Sequence, residues 1–173
     1  MARVKLLGKE DVDPMVKAVY QKFEDNGREV LNLLKALAHS PKILRDFNRM
    51  GITLLFKGDL SPRLRELAIL RVGNLAQANY EWTQHVPIAL QAGADQEQID
   101  ALSDWKAETV FNDQERAVLQ YTDELSQNIR AADDTFAGVQ EFLSEKEIIE
   151  LTVTIGYYAM VCRILEALQI ELE

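Results

Sequence analysis

Apolar residues along this chain recur at intervals of three and four almost throughout, and the strict alternation of a half-buried strand is nearly absent. The punctuation divides that pattern into helices. Asp13-Pro14 predicts a first helix to about Phe23, with Pro14 at the first helical position, where its missing N–H costs nothing. Gly27 precedes a second, REVLNLLKALA, closing near His39. Ser40-Pro41 opens a third that carries Ile43, Leu44, Phe47 and Met50 at helical spacing. Ser61-Pro62 caps a fourth, running to about Gln77. A fifth spans about Tyr80 to Gln91 and stops at Ala92-Gly93. A short helix in DQEQIDALSDW follows. Two capping boxes, Asn112-x-x-Glu115 and Ser144-x-x-Glu147, open the last two helices, QERAVLQYTDELSQN and a long closing helix to about Glu171. The expected fold is all-α. One helical domain covers residues 1–173, with 1–59 as an N-terminal helical extension and 60–171 as the core.

Helical wheels then place charge where it is expensive. In the fourth helix Leu64, Leu67, Ala68, Ile69, Leu70, Val72 and Leu75 surround nearly the whole circumference, which makes this helix central. Glu66 falls among Ile69, Leu70 and Gly73. On the fifth helix Glu81 and His85 lie four residues apart in one sector with Ala78, Trp82, Ile88 and Ala89, while Thr83 and Gln91 point elsewhere. The connection between these helices is short, so they are expected as antiparallel neighbours, with Glu66 meeting the Glu81–His85 pair across the seam. A carboxylate and an imidazole facing a core cost free energy unless they pair, and burial and pairing reset their proton affinities. That is the makeup of a general acid/base site, with His85, Glu81 and Glu66 as candidate catalytic residues. It is equally the makeup of a core histidine bonded to Glu81, and Glu66 can relay protons or pair with Arg63 or Arg163.

Other residues carry open readings. Pro87 inside the fifth helix frees the carbonyl of Thr83 and predicts a kink beside His85, unless the helix starts later. Tyr80, Trp82, Tyr157 and Tyr158 either wall a pocket or fill the core. Arg71 is expected to bridge subunits, with snorkelling or a substrate carboxylate as alternatives. His39 is expected at a helix end on the surface.

Composition narrows the function classes. The chain has 173 residues, 47% of them hydrophobic, and 19 basic against 28 acidic side chains give a net charge of −9. No basic block is interleaved with aromatics, so nucleic acid is not expected as a partner. The run IIELTVTIGYYAMV contains Glu150 and is read as too short for a membrane span, which needs about 20 residues. With no secretory h-region after Met1, a cytoplasmic protein is expected. A single cysteine, Cys162, excludes an internal disulfide within one chain, and amid Val161, Ile164 and Leu165 it reads as a small core hydrophobe. No HExxH or paired ExxH pattern accompanies Glu66, Glu81 and His85, so no metal and no cofactor are expected.

The stretch RELAILRVGNLAQANYEWTQHVPIALQAG, followed by LSEKEIIELTVTIGYYAMVCRILEALQIELE, resembles the carboxymuconolactone decarboxylase family, which includes the alkyl hydroperoxidase D proteins. The resemblance covers about Leu60 to Glu171. It implies an alkyl hydroperoxidase D-like helical bundle, self-association into homotrimers or hexamers, and active sites near subunit contacts. In the hydroperoxidase branch, Glu66 and His85 have counterparts, but a CxxC pair stands where this chain has Ala78 and Glu81. Attack on a peroxide and the disulfide that follows both need sulfur, so antioxidant peroxidase activity is disfavoured. The decarboxylase branch resembles this chain at Glu-x-x-x-His, the spacing of Glu81 and His85. Its reaction removes CO₂ from an unsaturated lactone acid and leaves a dienolate to be protonated. The expectation is therefore a decarboxylase-like lyase doing cofactor-free acid/base chemistry on a small organic acid or lactone. A family member in which the Glu–His–Glu cluster only fastens helices is the alternative.

Overall fold

Ten consecutive residues of one helix, Leu64 to Gly73, are buried, and the architecture follows from housing that helix. The computed structural model describes residues 1–173. Nine α-helices succeed one another: α1 (Pro14–Asp25), α2 (Asn32–Leu37), α3 (Pro41–Phe56), α4 (Pro62–Ala76), α5 (Asn79–Gln91), α6 (Gln96–Ala101), α7 (Asp113–Asn128), α8 (Asp133–Gln140) and α9 (Glu145–Leu168). Short 3₁₀ turns occupy Lys9–Asp11 and Leu102–Asp104, and there is no strand. The chain packs as two units, Met1–Phe56 with Ile164–Glu173, and Lys57–Arg163.

In the first unit, Val12, Val16, Tyr20, Val30, Leu34, Ala38 and Leu44 form the core beneath α1, α2 and α3. Asp13 caps α1 by accepting from the N–H groups of Met15 and Val16. The backbone N–H of Arg3 donates to the Leu168 carbonyl at 2.8 Å. The Asn32 side-chain amide donates to the carbonyls of Glu171 and Leu172.

In the second unit, Leu67 and Leu70 of α4 pack with Ala89, Ala94, Ile99, Leu102, Trp105, Phe111 and Leu119. Two arginine networks, one half-buried and one buried, hold α4 at its ends. Near its start, Arg63 donates to Glu115 Oε1 at 2.8 Å and to Gln98 Oε1 at 2.9 Å, and Gln98 returns a bond to Glu115 Oε2 at 3.0 Å. Near its end, Arg71 grips Asp123 with two bonds of 2.6 and 3.1 Å and donates to the Leu102 carbonyl at 2.7 Å. Trp105 Nε1 completes the Asp123 carboxylate at 3.1 Å. Every strong donor of Arg71 is used inside the chain, so the expected subunit-bridging role does not apply. Its place on a helix apolar on nearly all sides reflects a buried internal ion pair.

Four local expectations are corrected. The second helix begins at Asn32 rather than near Arg28, because Leu31 takes the extended N-cap conformation. Ser61 sits at the N-cap of α4 but its hydroxyl makes no cap bond. Glu150 of α9 accepts instead from the N–H groups of Asp59 and Leu60, both at 2.8 Å. The helix α8 was not expected from its own sequence. Its N-terminal turn is held from α7, where Glu124 accepts from the Ala132 N–H at 2.7 Å and the Thr135 hydroxyl at 2.8 Å. Finally, α9 is 24 residues long and contains an 18-residue window of mean hydropathy 1.5, long and apolar enough by length and composition to cross a membrane, with half of that window buried in the protein. The helix is longer than the apolar run within it, so length alone does not argue against a span.

The Arg71–Asp123 pair sets a stability test. Asp123→Ala strands a buried guanidinium and is expected to cost about 3–5 kcal/mol in urea denaturation at pH 7, whereas an apolar pair such as Arg71→Met with Asp123→Leu recovers most of that loss.

Candidate active site

The two-residue link Gln77–Ala78 forces α5 back along α4, and Gln77 makes the reversal in the left-handed region at φ 53°. Contacts along the seam run in opposite senses. Gly73 faces Glu81, and seven residues earlier Glu66 meets His85. A Cβ at Gly73 would stand 3.7 Å from that of Glu81, so the missing side chain sets how closely the helices lie.

His85 Nδ1 lies 2.7 Å from Glu66 Oε2, and His85 Nε2 lies 3.0 Å from Glu81 Oε1. Glu66 is fully buried, and Glu81 and His85 nearly so. Arg65 donates from Nε to the other Glu66 oxygen at 3.0 Å. The result is a buried chain of alternating charge, Arg65–Glu66–His85–Glu81. From α9, Tyr158 packs edge-on against the imidazole, with ring centroids 4.9 Å apart at 83°, and Tyr157 packs edge-on against Tyr158 at 5.3 Å. Burial, reinforced by the negative charge of Glu81 and Glu66, holds the Tyr158 phenol well above its ordinary pKa, so it stays neutral.

Burial also works on His85, where it favours the neutral ring and is the largest single influence. Hydrogen bonds to Glu66 and Glu81, with their charges, outweigh it and push the imidazole up to about 9. At neutral pH both ring nitrogens therefore carry protons, and each donates to a carboxylate. Glu81 lies in the first turn of α5, where the helix dipole favours negative charge.

The sequence-predicted trio thus converges, in an arrangement that differs from the expected one. Glu66 makes the shorter contact with the imidazole, and the ring stands between the two carboxylates. Neither arginine expected beside Glu66 is there. Arg63 serves Glu115, and Arg163 donates to the Ala159 carbonyl in its own helix. Arg65 takes that place and was missed; the signal was its adjacency to Glu66 in a helix apolar on all sides. Pro87 lies inside α5, which begins at Asn79, so the late-start alternative is excluded. Tyr80 is buried, Cys162 is buried on α9, and His39 is exposed with Nε2 against the Lys5 carbonyl at 2.9 Å.

An open cleft of about 260 Å³ lies beside the trio, lined by Gly73, Asn74, Gln77, Ala78, Asn79 and Trp82. Gly73 and Trp82 both adjoin Glu81, Gly73 across the helix seam and Trp82 as its neighbour in sequence. None of the trio itself lines that cleft, nor a larger hollow of about 490 Å³ among Lys106, Gln120, Glu124 and Arg130.

The raised His85 pKa gives stability a defined pH dependence. The folded chain binds this proton more tightly than the unfolded one, whose histidine titrates near 6.5. The contribution, on the order of 3 kcal/mol, is whole below pH 6.5, falls as pH rises through about 9, and is gone above it. Urea denaturation between pH 6 and 10 should show this decline, and His85→Gln should flatten it.

Comparison with known proteins agrees with this architecture. Residues 41–124 match the carboxymuconolactone decarboxylase family. No curated protein matches the chain in sequence. Among solved structures, an uncharacterized peroxidase-related protein from Silicibacter sp. TM1040 superimposes with a TM-score of 0.84 at 17% identity, covering 99% of this chain and 92% of that one. The alkylhydroperoxidase AhpD core from Ralstonia eutropha JMP134 gives 0.88 at 15%, with coverage of 99% and 92%. A variant of the debrominase Bmp8 in complex with 2,3,4-tribromopyrrole gives 0.82 at 18%, covering 100% and 94%. At these identities the superpositions speak for the fold. In pattern and in fold together, residues 41–124 of this chain match the carboxymuconolactone decarboxylase family model, within an alkyl hydroperoxidase D-like all-helical architecture.

Proposed function

We propose that Glu66, His85 and Glu81 form a proton relay for cofactor-free acid/base chemistry on a small organic acid or lactone, of the carboxymuconolactone decarboxylase type. The observation that carries this reading is the imidazole with a carboxylate on each nitrogen, inside a seam one residue away from an open cleft. Glu66, anchored by Arg65, fixes the ring and keeps Nδ1 protonated. Glu81 is the outer member, and it receives the Nε2 proton or swings aside to let the substrate take it.

In a decarboxylation of this class the C–CO₂⁻ bond breaks, CO₂ leaves, and the bonding pair spreads into a dienolate. The proton held at Nε2 then goes to carbon, and solvent restores it to the relay. A buried imidazolium next to two carboxylates suits this step, because the positive charge it loses on giving up the proton is matched by the negative charge the dienolate loses on taking it. A cleft of about 260 Å³ is below the range of drug-sized ligand pockets, about 300–1,000 Å³, which fits a substrate of one small ring.

A second reading has its own support. Arg65 balances the charge of the cluster, as in a purely structural ion-pair chain that fastens α4 to α5. The two readings separate on one set of variants. With a carboxymuconolactone as probe, His85→Gln and Glu81→Gln are each expected to lower turnover about 10²–10⁴-fold while far-UV circular dichroism stays that of the parent. Full activity in both variants overturns the relay, and loss of thermal stability without any activity to lose supports the fastening role. Peroxide reduction is tested separately. With Ala78 and Glu81 in place of sulfur, Cys162→Ser should leave peroxide consumption at the parent's level.

A further inference from the structure

The long helix α9 carries no charged residue from Leu151 to Cys162, although one side of it faces solvent. On that side Ile149, Val153, Gly156 and Met160 follow one another at intervals of four, three and four, which is one helical stripe. Ile149 is 63% exposed, Met160 42% and Val153 39%. Nothing lies within 4 Å of the place a Gly156 Cβ would take. The same stripe ends in Glu145 on one side and Arg163 on the other, both exposed. Glu145 makes no ion pair in the chain, and Arg163 bonds only the Ala159 carbonyl one turn back. All of these residues lie within the Lys57–Arg163 unit.

This pattern reads nearly the same from either end: acid, Ile, Val, then Gly, Met, base. A twofold axis crossing the helix between Val153 and Gly156 sets Ile149 of one copy against Met160 of the other, and Val153 against Gly156. The bulkier member of each central pair meets the smallest, so the two helices approach closely. Glu145 of each copy then lies opposite Arg163 of the second. Antiparallel crossing also opposes the two helix dipoles, which a parallel pairing would align. We propose that this face of α9 is an isologous contact with a second copy of the same chain, packed antiparallel about Val153 and Gly156. A homotrimer has no such axis; a dimer, or a hexamer built of three such pairs, does. The contact passes beside Tyr157, whose ring rests on Tyr158 and so on His85, and it stands independently of the acid/base reading.

Charge reversal tests the pairing directly. Analytical ultracentrifugation of the full chain should show an even-numbered assembly. Glu145→Arg or Arg163→Glu alone should weaken association by about tenfold or more, through like charges brought face to face. The double exchange Glu145→Arg with Arg163→Glu should restore it. Cross-linking fixes the direction. Val153→Cys chains mixed with Gly156→Cys chains should join by disulfide, while Ile149→Cys chains alone should not, because antiparallel packing separates the two positions by about 16 Å of helix rise. Cys162 is buried at 1% exposure and does not compete. A monomer at tens of micromolar overturns the proposal. So does an odd-numbered assembly, an assembly indifferent to the reversals, or self-joining of Ile149→Cys chains. Sedimentation of the parent with phosphatidylcholine–phosphatidylglycerol vesicles, abolished by Val153→Glu, would assign the stripe to a lipid surface and overturn it as well.

Discussion

One imidazole between two carboxylates is the constraint on which this molecule's central unit depends. Glu66 is fully buried, and neither it nor His85 has water to turn to, so each must be satisfied by the other. The bonds of 2.7 and 3.0 Å exist only if α4 and α5 lie close and in one register. Closeness comes from Gly73. Register comes from the two-residue turn at Gln77 and from the arginine networks at either end of α4. Arg63 precedes Glu66 by three positions, and Arg71 follows it by five. Each is bonded to a carboxylate of α7, so the helix can neither slide nor rotate without breaking buried ion pairs. A hydrophobic core alone tolerates small shifts in register; three polar anchors on one buried helix do not.

That rigidity has a chemical consequence for the proposed relay. His85 holds its proton because two carboxylates outweigh a burial effect that by itself favours the neutral ring. The balance depends on both. A ligand that draws Glu81 away from Nε2 removes one of the two supports while leaving the burial in place. The affinity of the imidazole for its proton then falls toward neutrality at the moment a basic carbon is at hand. Glu66 cannot leave in the same way, because Arg65 holds its other oxygen. The division of labour between the two carboxylates thus follows from their neighbours: one is clamped by Arg65, and the other lies beside Gly73 and Trp82, which line the cleft.

Much of this was legible in the sequence, for reasons that can be traced to particular residues. The helices α1, α7 and α9 carry their own signals: Asp13 and Pro14, and the boxes at Asn112 and Ser144. Local chemistry decides those ends. Where a cap comes from elsewhere in the chain, the sequence is silent. The carboxylate that holds the start of α8 is Glu124 on α7, and the one that holds the approach to α4 is Glu150 on α9. The same distinction governs the site. Glu81 and His85 announce themselves by helical spacing, and Glu66 by charge in an apolar helix. Which of them faces which ring nitrogen, and that Arg65 rather than Arg63 neutralises Glu66, depends on side-chain directions across two helices. Arg71 was misjudged for the same reason, since its partner Asp123 lies on a helix fifty positions away.

Position 81 shows how one helical frame can host two chemistries. In the hydroperoxidase branch that this chain resembles, a second sulfur stands there, beside a glutamate and a histidine. Here the glutamate and histidine remain as Glu66 and His85, and a carboxylate occupies the place of the sulfur. A thiolate at that point closes a disulfide and moves electrons. A carboxylate bonded to Nε2 at 3.0 Å can only move a proton. With Ala78 in the other sulfur position, the seam holds an imidazole and carboxylates, which exchange protons, and no sulfur. The cleft lined by Gly73 and Trp82 then lies one residue away from an acid rather than from a thiol. On the proposed reading, the two positions at which this chain differs from that branch change what the seam can transfer, while Glu66 holds the imidazole at 2.7 Å.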